Sequence, residues 1–452
     1  MPRLLRYFKA HMKYFGTDGI RGEYGGEHVN EAFFEGLGAA VSAHLQGKIK
    51  GRLPKIAIAG DTRFSSEPLK AAFCKGLRGI EVADFGVVPT PALAFGVLKE
   101  KADFGVMITA SHNPYTDNGI KFFDENARKA SDDAQEQIEK FFDEKISGSG
   151  AESSVKKVDM KSHYIAKMGS ILPKGCLKGL KIALDCANGA TAGISGEVLR
   201  GYGAEVVEIG VSPDGRNINN NIGSEHPEAL ANLVRESGAF IGLAHDGDGD
   251  RLVVCDENAN KIAGECVMGL IAIEASRQNA LKGGAVVTTI QSNVGMDESL
   301  KKCGVEVFRS GVGDRLVMRL MLEKGCEIGG ENSGHYIFMD ISPCGDGLAA
   351  AVKLLSTLLC LKIRVSEMGG VVSLYPSIQK ALKVARKTPI SETPTLSKTV
   401  EKIEREMSGK GRVLIRYSGT ENKIRLLVEG KDSALNEKSM AELVKSVEND
   451  LQ

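Results

Sequence analysis

The chain lacks an excess of charge of either sign: 58 Lys and Arg are matched by 58 Asp and Glu, a formal net charge of zero. That excludes a broad electrostatic footprint for nucleic acid or anionic lipid, so any anion site must be local. Paired cysteines are also missing. The nine present (Cys74, Cys176, Cys186, Cys255, Cys266, Cys303, Cys326, Cys344 and Cys360) include no CxxC. This argues against a zinc site or a disulfide framework and fits a reducing cytoplasm. No window approaches a membrane span, and the basic start MPRLLRYFKAHMKYF has no apolar h-region. What remains is 42% apolar and 26% charged over 452 residues, with 53 Gly and 13 Pro. That is the composition of a soluble globular protein too long for one core. Met12 directly precedes the first motif, so residues 1–11 read as an extension or a start-site choice.

An internal repeat organises the first 370 residues. KIAIAGDTR (55–63), KIALDCANGA (181–190) and GAVVTTIQSNV (284–294) each read as a buried strand entering a loop. Each is followed by a Gly-x-Glu-Val-like strand (79–90, 203–214 and 304–314) and then by a helical run, TPALAFGVLKEK, EALANLVRES or DRLVMRLMLEKG. A further short strand then opens into a loop of distinct chemistry: FGVMITASHNP (104–114), FIGLAHDGDGDR (240–251) and CEIGGENSGH (326–335). Alternating strand and helix signals predict three similar mixed α/β domains with largely parallel sheets. Ligands bind at the carboxyl ends of such strands, so the three loops are expected to share one cleft. The last 80 residues break the pattern. Helices over 391–409 and 433–451 flank strands 412–417 and 423–430, a smaller α+β domain beyond a hinge near 365–380. The expected boundaries are 1–155, 156–257, 258–370 and 371–452.

In DGDGDR, Asp246, Asp248 and Asp250 alternate with glycines, so one extended turn can aim three carboxylates at a point. Crowded carboxylates repel and raise one another's pKa unless a cation neutralises them. Oxygen-only ligands suit Mg²⁺. An EF-hand is the rival, with Glu257 at its twelfth position, but Arg251 stands where that loop needs glycine and LVVC reads as a strand. A structural Asp/Gly turn is the plainer alternative. TASHNP places Ser111 at a strand exit beside His112, as a nucleophile, a phosphate carrier or a turn cap. Taken with a neighbouring cation loop, a phosphorylated Ser111 fits. Lys121 of DNGIKFF is an acid/base candidate if its pKa is lowered, or a solvated strand-end lysine. GGENSGH offers Glu331, Ser333 and His335 to sugar hydroxyls, or is a glycine turn with incidental polar residues. RYSGTENKIR gathers Arg416, Ser418, Thr420, Lys423 and Arg425 around a turn suited to cradling phosphate. FGTDGIRG places Arg21 in a glycine-bounded loop.

FGTDGIRG, TASHNP, DGDGDR, GGENSGH and RYSGTENKIR, in that chain order, resemble the α-D-phosphohexomutase superfamily along essentially the whole chain. TTIQSNVG with SGVGDR, GGENSGH and the GDG of 345–347 are similar to its branch that acts on glucosamine phosphates. The resemblance implies four domains around a central cleft and a cytoplasmic enzyme interconverting glucosamine 6-phosphate and glucosamine 1-phosphate, feeding cell-wall precursor synthesis. It implies that Ser111 is a phosphoserine and that the reaction passes through a hexosamine 1,6-bisphosphate. One Mg²⁺ per chain would be bound by Asp246, Asp248, Asp250 and the Ser111 phosphate, which Arg251 steadies. Glu331 and Ser333 would read the sugar. Arg416, Ser418, Gly419, Thr420 and Arg425 would hold its non-reacting phosphate. Arg21, Lys121 and His335 would share acid/base and charge-stabilising roles. Asn422 stands where the family commonly has proline, which loosens that turn. The expected partner is a hexosamine phosphate, with no nucleic acid or membrane, and a homodimer is the candidate assembly. The rival readings are a mutase for mannose or glucose phosphates, a metal-dependent sugar phosphatase and a non-catalytic sugar-phosphate binder.

Overall fold

The computed structural model describes residues 12–418 and 422–452. Three sheets repeat one plan. In the first, the parallel strands Glu81–Val87, Lys55–Gly60 and Phe104–Ile108 lie side by side, and Asp117–Phe123 adds antiparallel to the last. The second uses Glu205–Ile209, Lys181–Asp185 and Ile241–Ala244, with antiparallel Val253–Cys255. The third uses Glu306–Ser310, Ala285–Thr289 and Ile328–Gly330, with antiparallel Tyr336–Phe338. The central parallel strands are near-continuous apolar runs because both faces are covered. The order of these four strands is the same in each sheet, so the repeat read in the sequence is a repeat of topology. The strand Val253–Cys255 directly after the acidic turn also removes the EF-hand alternative, which needs a helix there.

The expected helical runs form as Thr90–Lys99, Pro227–Ser237 and Asp314–Lys324. Proline in the first turn opens the first two, and left-handed Gly238 and Gly325 end the last two. One continuous core runs through the second and third sheets and reaches into the first through Tyr164, Phe85 and Phe123. The fourth domain has its own core between two helices and a sheet. There the first helix is shorter than expected, Leu396–Glu406, because Pro394 disfavours helical geometry in the residue before it. The second is Ser433–Leu451, capped by Asp432. A third strand, Ser377–Lys383, completes the sheet and begins within the stretch near 365–380 expected to serve as hinge. All nine cysteines are free, and among the described residues no helix is long and apolar enough to cross a membrane.

Candidate active site

In each repeated sheet the loop of interest is the connection from the last parallel strand to its antiparallel neighbour: 109–116, 245–252 and 331–335. One topology therefore delivers three chemistries to one place. Ser111 sits in the left-handed region (φ 55), with its backbone N–H donating to Thr109 Oγ1 at 2.9 Å. Its Oγ donates to Asp246 Oδ2 at 2.6 Å, and both residues are buried. Loops from the first and second sheets thus meet. Gly247 permits this approach: a Cβ there would lie 2.7 Å from the Ser111 carbonyl oxygen.

The acidic triplet is fully buried, with one ligand atom from each residue within 4.8 Å of the others. Lys121 Nζ donates to Asp248 Oδ2 at 2.8 Å and to Asp250 Oδ2 at 3.1 Å, and Thr90 Oγ1 donates to Asp248 Oδ2 at 2.5 Å. Asp248 Oδ1 and Asp250 Oδ1 find no donor among the described residues. Two buried carboxylate oxygens without partners are costly, and a hard divalent cation is the group that such oxygens accommodate. Burial, then Asp250 and Asp248, push the Asp246 carboxyl well above its ordinary value. Burial also pushes Asp248 upward, but the charge and hydrogen bond of Lys121 outweigh it and the net shift is down.

Arg21, expected in a loop, stands in a strand, and Lys121 is a buried strand residue rather than a solvated one. Arg21 lies in Ile20–Glu23, opposite Gly119, because that segment pairs antiparallel with Asp117–Phe123. Lys121 lies within Asp117–Phe123, buried and opposite Met107. Its amine is not poised as a neutral base. Burial favours the neutral form, but Asp18, Asp248 and Asp250 overcome it and raise the pKa well above the ordinary lysine range. Arg21 pairs with Asp18, and His335 Nε2 lies 3.4 Å from Asp314 Oδ2 and 3.7 Å from Asp250 Oδ2. Arg251 donates from its backbone to Asp246 Oδ1 at 3.2 Å and from Nη1 to Glu225 at 2.8 Å, and its backbone forms a β-bridge with His335. His112 Nδ1 is 3.5 Å from Ser111 Oγ, and burial, followed by Arg251, lowers its pKa to about 4.

A cavity of about 430 Å³ lies between the third and fourth domains, lined by Gln291, Asn332, Gln379, Arg416 and Arg425 among others. Arg416 and Arg425 are direct cross-strand partners. Like charges so placed repel, and burial and then Arg425 lower the Arg416 pKa. With its amide oxygen turned toward the guanidinium, Gln291 accepts from Arg416. Lys387 Nζ donates to the Ser418 carbonyl at 2.7 Å. Gly419 and Thr420 lie outside the described residues. Glu331 Oε1 accepts from Gly313 N at 2.9 Å, and Ser333 is exposed. The loop 331–335 joins the two regions, for Asn332 lines the cavity while His335 faces the acidic cluster.

Several residues that build the site were not singled out from the sequence. Buried Arg63 donates to Asp61 (Nε to Oδ2, 2.9 Å) and to the carbonyls of Ser111 (2.9 Å), Asn113 (2.8 Å), Asp117 (2.9 Å) and Pro114. Asn219 Nδ2 donates to the Ser111 and Asn113 carbonyls at 2.8 and 3.0 Å. Asp61 and Arg63 directly follow the first repeat strand Lys55–Gly60, where an Asp-x-Arg pair at a strand exit was the available signal.

Four consecutive matches to the phosphoglucomutase/phosphomannomutase family cover the chain: α/β/α domain I over 12–148, domain II over 162–261, domain III over 263–373 and the C-terminal domain over 380–446. The phosphoglucosamine mutase of Aliarcobacter butzleri is 42% identical over 444 residues, covering 96% of this chain and 98% of that protein. The chain belongs to the phosphoglucosamine mutase family. Other family members show the same extent of likeness: that of Thermoanaerobacter sp. is 41% identical, covering 97% of this chain and 99% of its own, and that of Vibrio cholerae is 40% identical, covering 97% and 98%. Membership makes the protein a phosphohexomutase, an enzyme of the isomerase class. Among solved structures, a phosphoglucomutase/phosphomannomutase family protein from Burkholderia thailandensis shares the fold, with a TM-score of 0.81 at 23% identity over 96% of this chain and 97% of that one.

Proposed function

We propose that the protein interconverts glucosamine 6-phosphate and glucosamine 1-phosphate through a phosphoserine at Ser111 and an enzyme-bound hexosamine 1,6-bisphosphate. The observation that carries this reading is the 2.6 Å contact of Ser111 Oγ with the buried acidic triplet, in a chain about 40% identical over its length to phosphoglucosamine mutases. The four units 1–155, 156–257, 258–370 and 371–452 then contribute one loop each.

Asp246, Asp248 and Asp250, with an oxygen of the Ser111 phosphate, would hold one Mg²⁺, and the two unpartnered carboxylate oxygens support that fit. When bound, the ion neutralises charge on the transferring phosphoryl group. The protein's own part is positioning and fixed charge. Arg63 and Asn219 hold the Ser111 loop by its carbonyls. Arg251 and Arg21 contribute positive charge. Lys121, kept cationic, serves as fixed charge and proton donor rather than as a resting base. His335 has an Nδ1 without a hydrogen-bond donor or acceptor among the described residues and is the group assigned to take the proton of the attacking sugar hydroxyl. In the forward half, the bond from phosphorus to Ser111 Oγ breaks as one forms to the sugar oxygen. After the bisphosphate turns around, its other phosphoryl group returns to Ser111. Glu331 and Ser333 read the sugar, and Arg416, Ser418, Gly419, Thr420 and Arg425 hold the phosphate that is not reacting.

The test is turnover of glucosamine 6-phosphate against mannose and glucose phosphates, with mass spectrometry locating the phosphate. Ser111→Ala should remove at least about 10³-fold of turnover, as loss of a nucleophile does, while leaving the melting temperature within a few degrees. Near-normal turnover of that variant, or preferred turnover of a hexose phosphate, defeats the corresponding part of the reading.

A further inference from the structure

Lys129 belongs to none of the motifs, yet its side chain is only 10% exposed and its ammonium joins two carboxylates from different domains. We propose that Lys129 is a positioning residue for phosphoryl transfer, acting through Asp18 of the first domain and Asp314 of the third on Arg21, Lys121 and His335. The inference rests on the mutase reading above.

Lys129 follows the strand Asp117–Phe123 and is bridged back to Phe123, so the hairpin that carries Lys121 also fixes Lys129. Its Nζ pairs with Asp18 Oδ1 and lies 2.5 Å from Asp314 Oδ2. Asp18 Oδ2 in turn pairs with Arg21 and lies 3.2 Å from Lys121 Nζ, while Asp314 Oδ2 is 3.4 Å from His335 Nε2. Each carboxylate thus has one hand on Lys129 and another on a group that works at the reacting centre. The loops they come from pack closely, for a Cβ at Gly313 would lie 3.1 Å from Thr17 Cγ2. Without a cation between them, the part-exposed Asp18 and the buried Asp314 repel, and the first and third domains keep the pair Arg315–Asp132 but lose the tie that sets Arg21 and His335 at one spacing. Truncating one partner of such a group leaves the others uncompensated, so the effect reaches residues that Lys129 never touches.

The full-length enzyme is assayed as Lys129→Met and Lys129→Arg with glucosamine 6-phosphate and saturating Mg²⁺. Misplacement of reacting groups by about an ångström costs on the order of 10² in rate. Lys129→Met should therefore lower kcat about 10²-fold with KM changed less than about threefold, and Lys129→Arg should restore most of it. Adding His335→Asn to Lys129→Met should cost far less than the product of the two single losses. If Lys129→Met does not fold, Asp314→Asn must show the same split between kcat and KM. A kcat within about threefold of wild type, or parallel loss of kcat, KM and melting temperature without rescue by Arg, overturns the proposal. Failure of the wild-type enzyme to turn over glucosamine 6-phosphate defeats the mutase reading instead. The positioning claim is then decided by hydrogen exchange: amides of 16–21 and 311–316 must exchange faster in Lys129→Met, and unchanged exchange overturns it.

Discussion

Replacing Arg63 tests whether the Ser111 loop is held from behind. The guanidinium and its partner Asp61 are fully buried, and Arg63 donates to four loop carbonyls in addition to that carboxylate. Arg63→Met keeps most of the volume and removes the charge, leaving the Asp61 anion without its cation and the four carbonyls without their shared donor. Breaking a buried pair by removing one partner costs about 3–5 kcal/mol. Thr109 and Ser66, which both donate to Asp61, offset part of this. At roughly 2–4 °C per kcal/mol for a unit of this size, the melting transition of the first domain should fall by on the order of 10 °C. Arg63→Lys retains a charge but not the planar fork, so it should recover stability more than function. For the Arg63→Lys enzyme, turnover about 10²-fold below wild type is expected, with slower phosphorylation of Ser111. Calorimetry and a coupled mutase assay on the same samples supply both readings. Arg63→Met enzyme that melts and turns over like wild type would refute the clamp.

Asp248→Asn should raise the Mg²⁺ concentration for half-maximal activity by at least about tenfold, with the KM for sugar phosphate within about threefold, since an amide neither replaces the ligand charge nor touches the sugar loop; titration of activity with Mg²⁺ checks this, and an unchanged midpoint sinks the metal assignment. Arg425→Met relieves a like-charge cross-strand pair, so the apo fourth domain should be no less stable, while KM should rise on the order of tenfold or more and stabilisation by added inorganic phosphate should vanish; thermal shifts with and without phosphate measure it, and a retained phosphate shift counts against the cradle. His44, whose Nδ1 meets Gln137 Oε1 at 2.8 Å, has its pKa lowered by burial. Its folded value lies below the unfolded one, so the neutral form's stabilisation is present above about pH 6.5 and lost as pH falls toward the folded pKa. His44→Gln should flatten the acid limb of the stability curve below about pH 6.5, and an unaltered limb in urea titrations contradicts the assignment.

The three site loops were legible in the sequence because each follows an apolar strand in the same place of a repeat. The buried triplet Asp246, Asp248 and Asp250 and the exit of Ser111 then follow from local pattern alone. What binds the loops together was not legible. Asp18 and Asp314 stand in strings already singled out, FGTDGIRG and SGVGDR, but their meeting on Lys129 depends on how the first and third domains face one another, which no local spacing encodes. The charge state of Lys121, left open between an acid/base group and a solvated strand-end lysine, was not legible for a related reason: the sequence shows a lysine near a loop, whereas three carboxylates from two separate segments surround it. The strand Ser377–Lys383 escaped because its exposed alternation follows Pro376 in a stretch that reads as linker, and only pairing with Lys423–Gly430 makes it a strand.

Giving the same hairpin turn of three sheets three separate jobs makes the enzyme modular at the scale of a few residues. Each turn is closed by its own pair of strands, so on the proposed assignment a new ligand preference can be written into 331–333, whereas a Cβ at Gly334 would lie 2.4 Å from the Leu252 carbonyl of the acidic turn. The seam where this freedom ends is the backbone bridge from Arg251 to His335, which stitches the loop proposed to read the sugar to the acidic loop proposed to serve phosphoryl transfer. Substrate choice can therefore drift on one side of that stitch, while the stitch itself must stay.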